Sequence, residues 1–154
     1  MINIAHIHPM VVHFPIVLFL FGVALMFIVM VRGGDLAEHT HLAQTALVTV
    51  LLGTLGAVAA AVFGDMALDK AVDLGFPKKP LEEHAGLGMT TMSLFILLSA
   101  VYLFAWWRRI SLAGAKGWAM FAFGLIGVAV LIAAAYHGGD LVYQLGVNVA
   151  RVKP

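Results

Sequence analysis

The sequence predicts an all-α fold: an integral membrane four-helix bundle, up-down-up-down, with a short C-terminal segment over one face. Three observations predict it. The first is composition. Of 154 residues, 62% are apolar and 11% charged, against roughly 45–50% and about 25% in soluble domains. A chain this short buries proportionally little of its surface; with a mean hydropathy of +1.01, a soluble fold could not hide so much apolar material. The second is segmentation. Four runs, 11–31, 42–64, 85–107 and 117–136, contain no Asp, Glu, Lys or Arg. Each is about 20–23 residues, enough to cross a roughly 30 Å hydrocarbon core as a helix. The third is the short connections, 32–41, 65–84 and 108–116, which make consecutive helices antiparallel neighbours. Residues 1–154 read as one domain.

Each run has its own signals. Residues 1–10 carry no Lys or Arg, and the first run ends in Val31-Arg32-Gly33-Gly34. It is therefore expected to be a span rather than a cleavable signal peptide. Pro9 suits a first helical position, with His8 as N-cap. Pro15 removes the amide that would bond the Val11 carbonyl, so the first turns are expected to be distorted. The second run turns small in its later half, at Ala57, Ala59, Ala60, Ala61 and Gly64. Glu82-Glu83-His84 precede the third, where acids suit a helix start. Trp106 and Trp107 close it and Trp118 opens the fourth, placing an interfacial aromatic belt on one side. Gly138 and Gly139 are expected to end the fourth helix. The tail, 138–154, reads as more strand-like than helical. Gly53-x-x-Gly56 and Gly124-x-x-Gly127 mark close helix contacts, within or between chains.

Four spans put the N-terminus, the second connection and the tail on one side, face B. The first and third connections lie on face A. Histidine sorts unevenly: His6, His8, His13, His84 and His137 fall on face B, and His39 and His41 on face A. Arg32, Arg108, Arg109 and Lys116 abut the spans on face A, while Lys70, Lys78, Lys79, Arg151 and Lys153 lie on face B. The close approach of the face A cations to the spans favours a cytoplasmic face A.

Several functions are excluded. A net charge of +1 provides no basic field for nucleic acid. Zero cysteines remove disulfides, thiolate metal sites, Cys-ligated iron–sulfur clusters and haem attached through C-x-x-C-H. No Ser/His/Asp pattern, phosphate loop or paired intramembrane carboxylates are visible. The chain therefore reads as an electron-transfer protein or complex subunit more than as a stand-alone enzyme.

The candidate chemistry lies in histidine. His13 sits inside the first run, where an imidazole needs partners for its nitrogens. His84 is one turn from Gly88, which would let a flat group approach the backbone. His137 has only Ala133 and Ala134 one turn below it. Singly, each reads as a capping or interfacial residue. Together, histidines at one depth on three helices are a functional-site candidate. The small residues around them mean either close helix approach or space for a bulky group. Asp65 and Asp140 are candidate acceptors for the ligands' second ring nitrogens. His39 and His41 read as part of a solvated connection.

These residues form recognisable motifs. His8-Pro9-x-x-x-His13-Phe14-Pro15-Ile16, His84-Ala85-x-x-Gly88 and His137-Gly138-Gly139-x-Leu141-Val142-Tyr143-x-x-Gly146-Val147 resemble the domain-of-unknown-function 2231 family, small bacterial membrane proteins with four expected spans. The resemblance covers nearly the whole chain; the outer motifs are the specific ones. Its departure is Asn148, where the family often has glycine. The resemblance implies a setting beside c-type cytochrome modules, hence a redox role, with face B and both termini periplasmic.

Three functions follow as expectations. One is a b-type cytochrome of the bacterial inner membrane, holding one or two haem b groups through histidines. His13 and His84 are its first axial pair, and His137 is a further ligand or propionate partner; His8 lies nearest the boundary. Such a protein would pass single electrons between a quinol or membrane partner and a periplasmic c-type cytochrome. The second is a copper, zinc or iron site built from His13, His84 and His137 with Asp65 or Asp140. The third is a cofactor-free anchor subunit of a respiratory or photosynthetic complex.

Overall fold

The computed structural model describes residues 6–149. Five α-helices build the bundle: α1 (Ile7–Val11), α2 (His13–Val31), α3 (His41–Asp73), α4 (Lys78–Arg108) and α5 (Gly114–Tyr143). Among the described residues there is no strand. Val12 keeps right-handed helical angles, φ −58° and ψ −24°, so α1 and α2 act as one span, Ile7–Val31. The break at Val12 follows from Pro15, which leaves the Val11 carbonyl without its helical donor. With α3, α4 and α5 this makes four membrane-length apolar helices.

Sequence neighbours pack side by side, and α5 closes the ring against α2. That leaves α2 and α4 on a diagonal, where Phe19 and Phe95 stack face to face at an interplanar angle of 4°. Glycine sets the spacing. A Cβ on Gly53 would lie 3.2 Å from the Phe19 amide nitrogen, one on Gly56 3.1 Å from Pro15, and one on Gly124 3.1 Å from Val23. Both glycine pairs therefore make contacts within the chain. The core is also tied by polar groups. Thr54 Oγ1 lies 2.7 Å from Ser99 Oγ and 3.2 Å from the Phe95 carbonyl, and Tyr102 donates to the Ala43 carbonyl. Each of these buried hydroxyls thereby has a partner in a dry interior.

Three expectations need correction. The connection 65–84 is not a loop: α3 runs on to Asp73 and α4 begins at Lys78. Leu68, Ala71 and Val72 recur at helical spacing and cluster with Leu81, Leu141, Phe76 and Val147, which gives the extensions a reason to remain helical. Gly138 and Gly139 do not end the last helix, and 138–143 is not strand-like. Leu141 packs into that cluster, and α5 continues to Tyr143. The short segment over face B starts at Gln144. There Asn148 adopts φ 62°, a left-handed conformation that glycine takes freely and asparagine tolerates. Lastly, His8 is not an N-cap; it lies within α1.

Face A is closed by one carboxylate. Asp35 Oδ1 accepts 2.8 Å hydrogen bonds from the Ala37 and Leu112 amides, joining the α2–α3 and α4–α5 connections. Leu36, Ala37 and Leu112 are buried beneath it. Burial raises the carboxyl pKa, but hydrogen bonds from the Ser111 hydroxyl and the two amides outweigh it. The group titrates below its ordinary 3.8. Asp35→Ala should lower stability by about 1–2 kcal/mol, because two amides lose an ionised acceptor. A lowered folded pKa makes that contribution complete above the ordinary value and lost as pH falls through the folded one. Thermal unfolding in detergent, from about pH 7 to about pH 2, should show the wild-type advantage shrinking at the acid end. A gap that stays constant across that range would remove Asp35 as the source.

Candidate functional site

Two apolar clusters divide the bundle along its length. The large one is built around Phe19, Met26, Phe95 and Tyr102; the small one is Ala71, Leu81 and Leu141 near face B. Ala60 and Ala134 are buried yet belong to neither. They mark a layer between the clusters, and the histidines lie in it.

The layer contains one arrangement twice. His8 Nδ1 is 2.8 Å from the Ala60 carbonyl. Its ring lies over Gly64, where a Cβ would sit 3.0 Å from Cε1. His84 Nδ1 is 3.0 Å from the Ala134 carbonyl, and its ring lies over Gly138, where a Cβ would sit 2.9 Å from Cε1. In each case a helix presents a carbonyl and, four residues on, a glycine directly above it. Ala60-x-x-x-Gly64 and Ala134-x-x-x-Gly138 are thus two imidazole sockets. A backbone carbonyl has a second lone pair free for such a bond.

The sockets fix the chemistry of the rings. A carbonyl can only accept, so each Nδ1 carries the proton and donates it. In the neutral ring, Nε2 then holds the lone pair, the form in which imidazole binds a metal. The two rings are 6.1 Å apart between centroids and inclined at 80°. Sequence reasoning missed Ala60 and Gly64 as site residues. The repeated Ala-x-x-x-Gly spacing opposite a histidine is the signal that could have found them.

The other candidates are placed as follows. His13 is exposed on the outer side of α2, beside Phe14 and Val17. His137 is half-buried, next in sequence to the Gly138 that the His84 ring covers. Gly88 shares the face of α4 that carries His84, Thr91 and Phe95, the last two buried. A Cβ there would meet nothing from the other described elements within 4 Å. Asp65 is exposed, and Asp140 accepts from Gln144 Nε2 at 2.7 Å; the acceptors for the His8 and His84 rings are backbone carbonyls instead. Among the described residues, no three His, Cys, Asp or Glu side chains converge as a metal shell. The small residues resolve into a third option beyond close helix approach and a bulky guest: part of the space is filled by the imidazoles themselves.

Gly138→Ala should push the His84 ring off its carbonyl and destabilise the protein by about 1–3 kcal/mol, as overpacking does. Gly86→Ala, where a Cβ meets nothing within 4 Å, should instead be neutral or stabilise the helix by about 0.5–1 kcal/mol. Thermal unfolding of both variants checks the pair, and equal effects would count against the socket.

A family model described as "Predicted membrane protein (DUF2231)" matches residues 5–151. No curated protein matches the chain. No solved structure matches it either.

Proposed function

Taking as premise that the chain belongs to the DUF2231 family of membrane proteins, we propose that it is a b-type cytochrome whose haem iron is held by His8 and His84. The observation that carries this reading is the ring pair. Metal–imidazole nitrogen bonds of about 2.0–2.1 Å put the centroids of two opposed rings roughly 6 Å apart. The protein holds them at 6.1 Å, each with its Nδ1 tied to a backbone carbonyl. The open space at Gly88 supports a flat neighbour in the same layer. When bound, the group would supply one-electron transfer between ferric and ferrous iron.

The chain's own residues do the rest. Ala60 and Ala134 orient the rings and raise their basicity through the Nδ1–H bonds. The two apolar clusters keep water from both sides of the layer, which sets the potential together with the ligands. His137 is placed to interact with an anionic substituent beside His84. The pair differs from the first sequence expectation, His13 with His84, because α1 turns His8 inward and leaves His13 outside. In this reading, electrons pass between a quinol or membrane partner and a periplasmic c-type cytochrome, from a multi-pass protein of the bacterial inner membrane. Exposed Asp65, Asp69, Asp73, Glu82 and Glu83 on face B suit a basic partner there.

A second reading rests on the same distance. Two imidazoles at this spacing also suit a single copper(I) ion, bound without a flat ligand. Gly88→Leu separates the two: it fills the open space and should abolish haem binding while sparing a bare ion.

The test is the visible spectrum of detergent-purified protein, oxidised and then dithionite-reduced. A Soret band that shifts on reduction, with sharp α and β bands, is expected. His8→Ala and His84→Ala should each lose most of the haem, and His13→Ala should keep it. Rings inclined at 80° should give the ferric form one strongly shifted low-spin resonance rather than a rhombic triplet. A flat spectrum from cells supplied with haem would overturn the proposal, and elemental analysis would then decide on copper.

A further inference from the structure

The opposite end of the molecule holds a concavity, separate from the histidine layer. A cavity of about 550 Å³ opens between the α2–α3 and α4–α5 connections, lined by Gly33, Asp35, Glu38, His39, Arg109 and Ser111 among others. One turn down α4 lies an apolar groove of about 410 Å³, lined by Ala100, Leu103, Phe104, Trp106 and Trp107. The two adjoin through one contact. His39 lines the cavity and stacks on Trp106 of the groove, centroids 4.8 Å apart and planes at 19°.

The charges around the cavity are unbalanced. Arg32, Arg108, Arg109 and Lys116 belong to this face, against Asp35 and Glu38. Asp35 is already spent on the Ala37 and Leu112 amides. Among the described residues the one salt bridge is Lys79 with Glu83, on the far face. Arg108 instead lies over the Trp107 ring. Arg109 is held at the cavity by the end of α4. Its backbone is left-handed, φ 54°, with its amide bonded to the Trp106 carbonyl and the Ile110 amide to that of Ala105. The walls are pinned in advance by the Asp35 bonds, so a guest need not order them.

We propose that this cavity and groove together bind one anionic phospholipid, the phosphate at Arg109 and an acyl chain along the groove. A polar cavity with a guanidinium that has no ion-pair partner among the described residues suits a phosphate, and an apolar groove continuing toward the membrane centre suits a chain. Trp106 stands at the junction of the two, and its buried indole N–H has no partner among the described residues. The exposed Trp107 and Trp118 place the cavity at headgroup depth.

The test is native mass spectrometry of the intact protein in detergent, titrated with dioleoyl phosphatidylglycerol or dioleoyl phosphatidylcholine. A one-to-one adduct favouring phosphatidylglycerol is expected. Arg109→Gly removes the charge and relieves the left-handed backbone, so it should not fail by misfolding. It should weaken the phosphatidylglycerol adduct about tenfold, the loss of one charge-assisted hydrogen bond, and Arg109→Lys should restore part of it. Leu103→Trp, which fills the groove, should weaken the adducts of both lipids. Equal binding of the two lipids, or no effect of Arg109→Gly, overturns the proposal. So does full displacement by millimolar inorganic phosphate with Leu103→Trp silent, which would assign the cavity to a soluble phosphate.

Discussion

The face B half of this bundle depends on a hydrogen bond between an imidazole N–H and a helix carbonyl, made twice. A histidine between membrane helices cannot leave Nδ1 unpaired without a desolvation penalty. The nearest available acceptors are backbone carbonyls, and these are reachable only where the helix carries no side chain above them. Gly64 and Gly138 supply that clearance. The bond then does three things at once. It joins α1 to α3 and α4 to α5, it fixes which ring nitrogen carries the proton, and it holds each ring against its glycine. Packing and tautomer are both consequences of one contact.

The four spans were legible because the bilayer demands length and composition, and both are read directly from a chain without cysteine and with few charges. The phase of each helix was not. Along the first span, Pro15, Phe19, Gly22 and Met26 face inward and are buried, and His8 is in register with them. His13, Val17, Leu20, Ala24, Phe27 and Val31 form the outer stripe and are exposed. Both stripes are apolar, because lipid tails accept the same side chains as the core. Hydrophobic periodicity therefore could not choose between His8 and His13. Five residues apart on a helix, the two point about 140° away from each other, so only one can enter the bundle.

The extent of the helices was hidden for a related reason. Residues 65–84 carry five of the chain's eight acids, which read as a solvated connection. Asp65, Asp69 and Asp73 lie on one exposed side of α3, while Leu68, Ala71 and Val72 lie on the other. That is an amphipathic helix leaving the membrane, a pattern that a search for uninterrupted apolar runs passes over. Gly138 and Gly139 misled in the opposite direction. Glycine ends helices when its backbone turns left-handed; here Gly138 stays helical, and its missing side chain is what admits His84.

The two ends of the bundle are built on different rules, and the difference bears on what each can do. At face A, Asp35 ties two loops together and buried Leu36, Tyr102 and Leu112 fill the space below. The two concavities described for that half lie on its outside. At face B, large side chains give way to alanine and glycine, and two rings occupy part of the volume released. Such a layer is stable only if the rings are held by directional bonds, since it lacks the interlocked packing of the other half. Directional bonds to backbone are also what fixes a donor atom within the narrow range that metal coordination needs. A structure that replaced these histidines with apolar residues of similar size would be simpler to pack, with no polar nitrogen to satisfy. The chain instead retains two imidazoles and places a glycine beside each backbone acceptor that satisfies them.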